Sequence, residues 1–185
     1  MAEVNIPRLD LNDYVYGTPE QKKKFSDDLG KAYNDTGFVT IANHGLSPQL
    51  IEELYHEVKN FFALPEATKL AYEKPELAGQ RGYTSKGKEK AKDSKTPDLK
   101  EFWQRGQTVS DGDVVKNEYP DNIDVRENPR FNSVTREVYE SLEASGKHLL
   151  RAIANYLALP ENYFDNKVHN GNSILRAIHY FPIED

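Results

Sequence analysis

The chain of 185 residues contains no cysteine. That excludes disulfides and thiolate metal sites, and it accords with a cytoplasmic location. No apolar run approaches the length that spans a bilayer. The start, Met1-Ala2-Glu3-Val4-Asn5, carries neither the basic nor the apolar segment of a signal peptide. A membrane is therefore not an expected partner. Nor is nucleic acid, because the net charge is −6 at pH 7. Phosphate-binding glycine loops of the complete Gly-x-x-x-x-Gly-Lys-Ser/Thr and Gly-x-Gly-x-x-Gly types are missing, as is the Gly-x-Ser-x-Gly nucleophile elbow. The histidines are His44, His56, His148, His169 and His179. None begins a His-x-Asp or His-x-Glu pair, and none has a second histidine three to five residues away. Spacing thus assigns no metal ligand and no catalytic residue to the chain.

What is present is a globular α+β composition. Eleven Tyr and eight Phe supply an aromatic core, and charges of both signs are abundant. Ile6–Leu11 reads as a short edge strand, since Pro7 cannot donate to a ladder. Thr18-Pro19 opens a helix, with Phe25, Leu29, Ala32 and Tyr33 on one face and Gly37 closing the run. Phe38–Ala42 is a strand, and Asn43-His44-Gly45 is the turn after it, where the His44 ring is expected to cap local backbone groups. Ser47-Pro48 starts a second helix carrying Leu50, Leu54, Val58, Phe61 and Phe62 at helical spacing, and Pro65–Lys69 a short third.

From Leu77 to Asn128 helical periodicity fades, leaving brief strands near Tyr83–Ser85 and Leu99–Gln104. Between them runs a lysine-rich loop (Lys86, Lys88, Lys90, Lys92, Lys95), read as a solvated loop or an active-site flap. Asn128-Pro129 begins the longest helix, whose apolar stripe passes through Phe131, Val134, Val138, Leu142, Leu149, Ile153 and Leu157. A further helical turn is expected at Glu161–Phe164.

The last strand, Ser173–Pro182, follows a Gly171-Asn172 turn and ends at proline. Strand alternation puts Arg176, Ile178 and Tyr180 on one side and Leu175, Ala177, His179 and Phe181 on the other. A guanidinium and a phenol on one face suit an anionic ligand. The same pattern also fits an ordinary strand, with Arg176 paired to a carboxylate and Tyr180 in the core.

Six segments in order carry a resemblance. They are Ile6–Leu11, Gly37–Gly45, Phe61–Pro65 with Lys69, Gly82-Tyr83, Asp98–Phe102 and Leu175–Pro182. Together they resemble the N-terminal part of the Fe(II)/2-oxoglutarate-dependent dioxygenases related to isopenicillin N synthase. The resemblance implies a double-stranded β-helix (a jelly-roll barrel) with flanking helices. It further implies a domain over residues 1–128 and the long helix plus the first part of a catalytic barrel over 129–185. The implied activity is oxidation of a small organic substrate with O2 (hydroxylation, desaturation or ring closure). The implied cofactors are Fe(II), held by a His-x-Asp pair and a distant His, and 2-oxoglutarate, held by an Arg-x-Ser pair. In the family these motifs follow the strand equivalent to Leu175–Pro182, whereas this sequence ends at Asp185. The chain alone is therefore expected to be an incomplete barrel, inactive and without iron ligands. Site positions implied by the match are Tyr180 and Arg176 toward the cosubstrate, and Tyr83 and Ile178 toward the substrate. A catalytically inactive binding module and a cosubstrate-free oxidase of the same fold stay open as alternatives.

Overall fold

The computed structural model describes residues 5–90 and 98–182. Lys92, Lys95 and Asp185 fall outside them. Among the described residues the strands are β1 (Arg8–Asp10), β2 (Thr40–Ala42), β3 (Gly82–Thr84), β4 (Lys100–Gly106) and β5 (Ile174–Tyr180). The helices are α1 (Leu11–Val15), α2 (Pro19–Asp35), α3 (Pro48–Phe62), α4 (Glu66–Leu70), α5 (Pro129–Tyr156) and α6 (Asp165–Val168). β1 and β2 form a parallel pair, while β3, β4 and β5 form an antiparallel sheet in that order. No closed barrel exists among these residues, and none of their helices is long and apolar enough to cross a membrane.

Contacts group the described residues of Met1–Ser47 with Glu140–His169, and those of Pro48–Tyr139 with Asn170–Asp185. The first unit packs Leu11, Tyr14, Phe25, Leu29 and Ala152 into one core. Its α2 starts on a capping box: the Thr18 hydroxyl accepts from the Gln21 amide at 3.3 Å, and the Gln21 side chain accepts from the Thr18 amide at 2.9 Å. Asp10 ends β1 and caps α1, its carboxylate accepting from the Asn12 amide at 2.9 Å and from Asn43 Nδ2 at 2.7 Å. Those bonds, Asn43 first, hold its carboxyl below the ordinary value. The turn at Asn43-His44-Gly45 needs a positive φ at both ends, 53° at Asn43 and 86° at Gly45. His44 does not cap it through its ring. Its Nδ1 is buried without a partner among the described residues, and its backbone carbonyl instead accepts from Ser145 at 2.5 Å.

The second unit is built on aromatic rings. Phe61 of α3 stacks on Phe131 of α5 with centroids 4.9 Å apart, and meets Trp103 of β4 edge-on at the same distance. Phe62, Tyr72, Tyr83 and Val125 complete the cluster. Gly82 opens β3 at φ +77°, and a Cβ there would stand 2.7 Å from the Tyr72 carbonyl oxygen. Arg81, just before it, is wholly buried. Its guanidinium donates to the Gln80 carbonyl at 2.8 Å, to Gln107 Oε1 at 3.2 Å and to Asn172 Oδ1 at 3.1 Å. It lies against Gly106, where a Cβ would be 2.1 Å from Cζ. Burial lowers its pKa.

Candidate functional site

The three-stranded sheet carries different chemistry on its two faces. Phe102 pairs with Ile178, Gln104 with Arg176 and Lys100 with Tyr180. Arg176, Ile178 and Tyr180 therefore share a face, as strand alternation requires. Along β5 residues alternate between exposed and half-buried. Tyr180 is 66% and Ile178 41% exposed, so Tyr180 is no core residue. β3 pairs Thr84 with Phe102 and Tyr83 with Trp103. Thr84 joins the Arg176 face, and Tyr83 belongs to the other.

A recess of about 410 Å³ opens on the Arg176 face, bounded by Arg176, Phe102, Gln104, Thr84, Glu73 and Glu89 among others. The Arg176 guanidinium lies 4.3 Å from the centre of the Phe102 ring. Its Nε donates to Gln104 Oε1 at 2.9 Å, and Gln104 Nε2 in turn donates to the Gly79 carbonyl. Nη1 reaches both Glu89 carboxylate oxygens, but only at 3.4 Å. Thr84 is 8% exposed, and its hydroxyl has no partner among the described residues.

The opposite face holds a buried polar cluster. Glu101 is 1% exposed within an otherwise aromatic core. Its carboxylate accepts from Lys69 Nζ at 2.7 Å and from the Tyr83 hydroxyl, and it pairs with His179 Nδ1 at 2.8 Å. Lys69 also donates to the Phe62 carbonyl at 3.0 Å. Burial pushes the Glu101 carboxyl up, but the bonds from Lys69, Tyr83 and His179 outweigh it and hold the pKa below its ordinary value. The Tyr83 phenol moves upward, through burial first and then through its bond to Glu101. His179 packs its ring 5.3 Å from Phe62 and 4.9 Å from Phe181. With Phe62, Tyr55, Val58 and Ile178 it borders a second, largely apolar cavity of about 370 Å³.

Residues 6–126 match the family described as non-haem dioxygenase in morphine synthesis, N-terminal. The chain belongs to the non-haem dioxygenase family. Curated relatives include the 2-oxoglutarate-dependent dioxygenase frbA of Dothideomycetidae sp., 28% identical over 96% of this chain and 55% of the relative. The 2-oxoglutarate-dependent dioxygenase htyE of Aspergillus rugulosus is 30% identical over 96% of this chain and 56% of its own. The chain thus spans about half the length of the curated relatives it matches. Among solved structures, a Caulobacter crescentus protein assigned to the 2OG-Fe(II) oxygenase family superposes with a TM-score of 0.87 at 33% identity, over 99% of this chain and 58% of that one. A full-length Neurospora crassa protein, solved in complex with alpha-KG, gives a TM-score of 0.76 at 28% identity, over 96% of this chain and 56% of its own.

The positions that the family resemblance singles out fall on both faces of the sheet. Arg176, Ile178 and Tyr180 line one side. Tyr83 touches the recess, but its hydroxyl is bound to Glu101 behind the sheet. Among the described residues no three His, Asp or Glu side chains gather in a way that could hold a metal ion. The buried cluster was missed by pattern reading, although Lys69 and Glu101 both lie in dioxygenase-like segments. The available signal was Glu101 itself, a carboxylate on a strand that continues into Phe102-Trp103.

Proposed function

We propose that the chain supplies the N-terminal part of an Fe(II)- and 2-oxoglutarate-dependent oxygenase that oxidises a small organic substrate with O2. In this reading residues 1–128 form the family's N-terminal region, and residues 129–185 contribute a helix and the first strand of a jelly-roll barrel. Support comes from the family match over residues 6–126 and from the superposition of nearly the whole chain on the Neurospora crassa protein that binds alpha-KG. The observation that carries the residue assignment is the sidedness of β5. Arg176, Ile178 and Tyr180 present a guanidinium, an apolar side chain and a phenol from one strand face, and Arg176 among them borders the recess. Such a mixture of apolar wall and few polar groups suits a small-molecule chamber.

When bound, 2-oxoglutarate supplies the electrons that balance oxygen reduction against substrate oxidation. The described residues offer no iron-ligating set; their part is to wall and orient. Tyr180 offers a hydrogen-bonding hydroxyl toward the cosubstrate, and Arg176 a charge for an acid. Ile178 adds apolar surface to the same strand face, and Tyr83 holds β3 in place from behind through Glu101.

The test is succinate and CO2 release by the full-length protein given Fe(II), 2-oxoglutarate, O2 and a panel of small organic acids, amides and alcohols. Substrate-stimulated release that falls at least ten-fold in Tyr180→Ala is expected. Oxygen uptake that is independent of 2-oxoglutarate would replace this reading with a cosubstrate-free oxidase. No uptake under any condition would leave a binding module.

A further inference from the structure

We propose that Arg176, Gln104 and Thr84 form a subsite for the carboxylate of an organic acid, an inference that rests on the oxygenase reading and narrows the ligand class of the same chamber. The guanidinium is rigidly held before any ligand arrives. Phe102 supports its face at 4.3 Å, and Gln104, itself anchored to the Gly79 carbonyl, fixes Nε at 2.9 Å. Its charge, by contrast, is poorly matched. Charge-assisted N–H···O bonds normally close to about 2.7–2.9 Å, yet both contacts to Glu89 stay at 3.4 Å. Glu89 is closer to Lys100, at 3.0 Å. The other carboxylate of the recess, Glu73, is taken by the amide and hydroxyl of Ser85, both at 2.9 Å.

Thr84 supplies the second, independent observation. It flanks Phe102 on β3, is nine-tenths buried, and its hydroxyl, which borders the recess, lacks a partner among the described residues. A buried hydroxyl left unpaired costs free energy that a ligand acceptor recovers. A fork-shaped cation and a donor hydroxyl on one apolar ring suit a planar carboxylate with an apolar body. Around the recess three cations (Lys74, Lys88, Arg176) face two carboxylates (Glu73, Glu89), so an anion also improves the local balance. In the free protein Glu89 stands in loosely for that anion.

The carboxylate can come from 2-oxoglutarate or from the primary substrate, and titration calorimetry separates the two. The full-length protein is titrated with 2-oxoglutarate, with phenylacetate and with neutral phenylacetamide, as wild type, Arg176→Gln and Thr84→Val. Phenylacetate should bind at least ten-fold more tightly than its amide, or 2-oxoglutarate should bind at this subsite. In either case Arg176→Gln weakens the carboxylate at least ten-fold without changing amide binding. Thr84→Val should weaken the same carboxylate several-fold, and Arg176→Lys should recover only part of the loss. A loss confined to 2-oxoglutarate assigns the subsite to the cosubstrate, and a loss confined to phenylacetate assigns it to the substrate. If neither carboxylate weakens in Arg176→Gln, or wild type binds none, the subsite is wrong. Substrate-stimulated CO2 release with carboxylate KM values unchanged in Arg176→Gln would sink the subsite and leave the oxygenase standing. Carboxylate binding without turnover would do the reverse.

Discussion

Lys69→Met removes the ammonium beside a carboxylate that is 1% exposed. Two bonds of Nζ disappear, at 2.7 Å to Glu101 and at 3.0 Å to the Phe62 carbonyl. The methionine fills the space of the stem, so little packing is lost and the cost is electrostatic. Breaking a buried pair from one side costs about 3–5 kcal/mol. Tyr83 and His179 still hold Glu101, which points to the lower end, about 3 kcal/mol. For a chain of this size that lowers Tm by about 6–12 °C. Trp103 is 1% exposed beside the cluster, and its fluorescence reports unfolding in guanidinium. In the wild type the Glu101 pKa lies below its ordinary value. Its contribution to stability is therefore complete above the unfolded pKa of about 4.3 and is lost as pH falls through the lower folded value. Without Lys69, burial is opposed only by the Tyr83 and His179 bonds and the carboxyl pKa rises, so acid relieves the mutant. The gap between the two proteins should thus narrow from pH 7 to pH 4. Lys69→Met/Glu101→Gln should recover much of the loss, because a neutral amide still accepts from Tyr83. A gap below about 1 kcal/mol at pH 7, or one that widens toward pH 4, would refute the buried-pair argument.

Three further outcomes are expected. Gly82→Ala combines a left-handed φ of +77° with a Cβ 2.7 Å from the Tyr72 carbonyl oxygen, and should cost about 1–3 kcal/mol, seen as a lower denaturation midpoint at constant m. Thr18→Ala takes away the hydroxyl half of the α2 capping box and should cost about 1 kcal/mol, with Thr18→Ser nearly neutral by thermal melting. Glu89→Gln frees Arg176 from its loose internal partner and should tighten phenylacetate or 2-oxoglutarate binding about three-fold by calorimetry; unchanged affinity for both would mean that Glu89 does not compete.

Helix starts were legible because their chemistry is local. Thr18-Pro19 and Asn128-Pro129 sit where α2 and α5 begin, and Asn128 Oδ1 accepts from the Phe131 amide at 3.1 Å. The two faces of β5 were legible because seven consecutive residues keep one parity. α1 escaped notice because it follows β1 without a linker, capped by the strand's own Asp10. The helical turn expected at Glu161–Phe164 lies later, at Asp165–Val168: the Tyr163 amide bonds to Pro160 and the Asp165 amide to Asn162, so that stretch makes tight turns instead. The α5 stripe overshoots, since Leu142 and Leu157 are 41% and 53% exposed. The face of Tyr83 could not be read locally. In a strand as short as Gly82–Thr84 parity is set by which β4 residue lies opposite, and that is a long-range fact. The Lys69–Glu101 pair, 32 residues apart in sequence, is hidden for the same reason.

Arg81 has no carboxylate partner among the described residues, but its three acceptors sit at informative places. Gln107 directly follows the end of β4, and Asn172 lies just ahead of β5. One guanidinium therefore fixes the offset of the two strands at the end where Gly106 meets Ile174. Slippage of β5 by a single residue would invert its sides. His179 would leave Glu101 and enter the recess, while Arg176 would be driven among the aromatic rings. A residue that touches neither ligand nor recess thus decides which chemistry β5 presents to each side of the sheet.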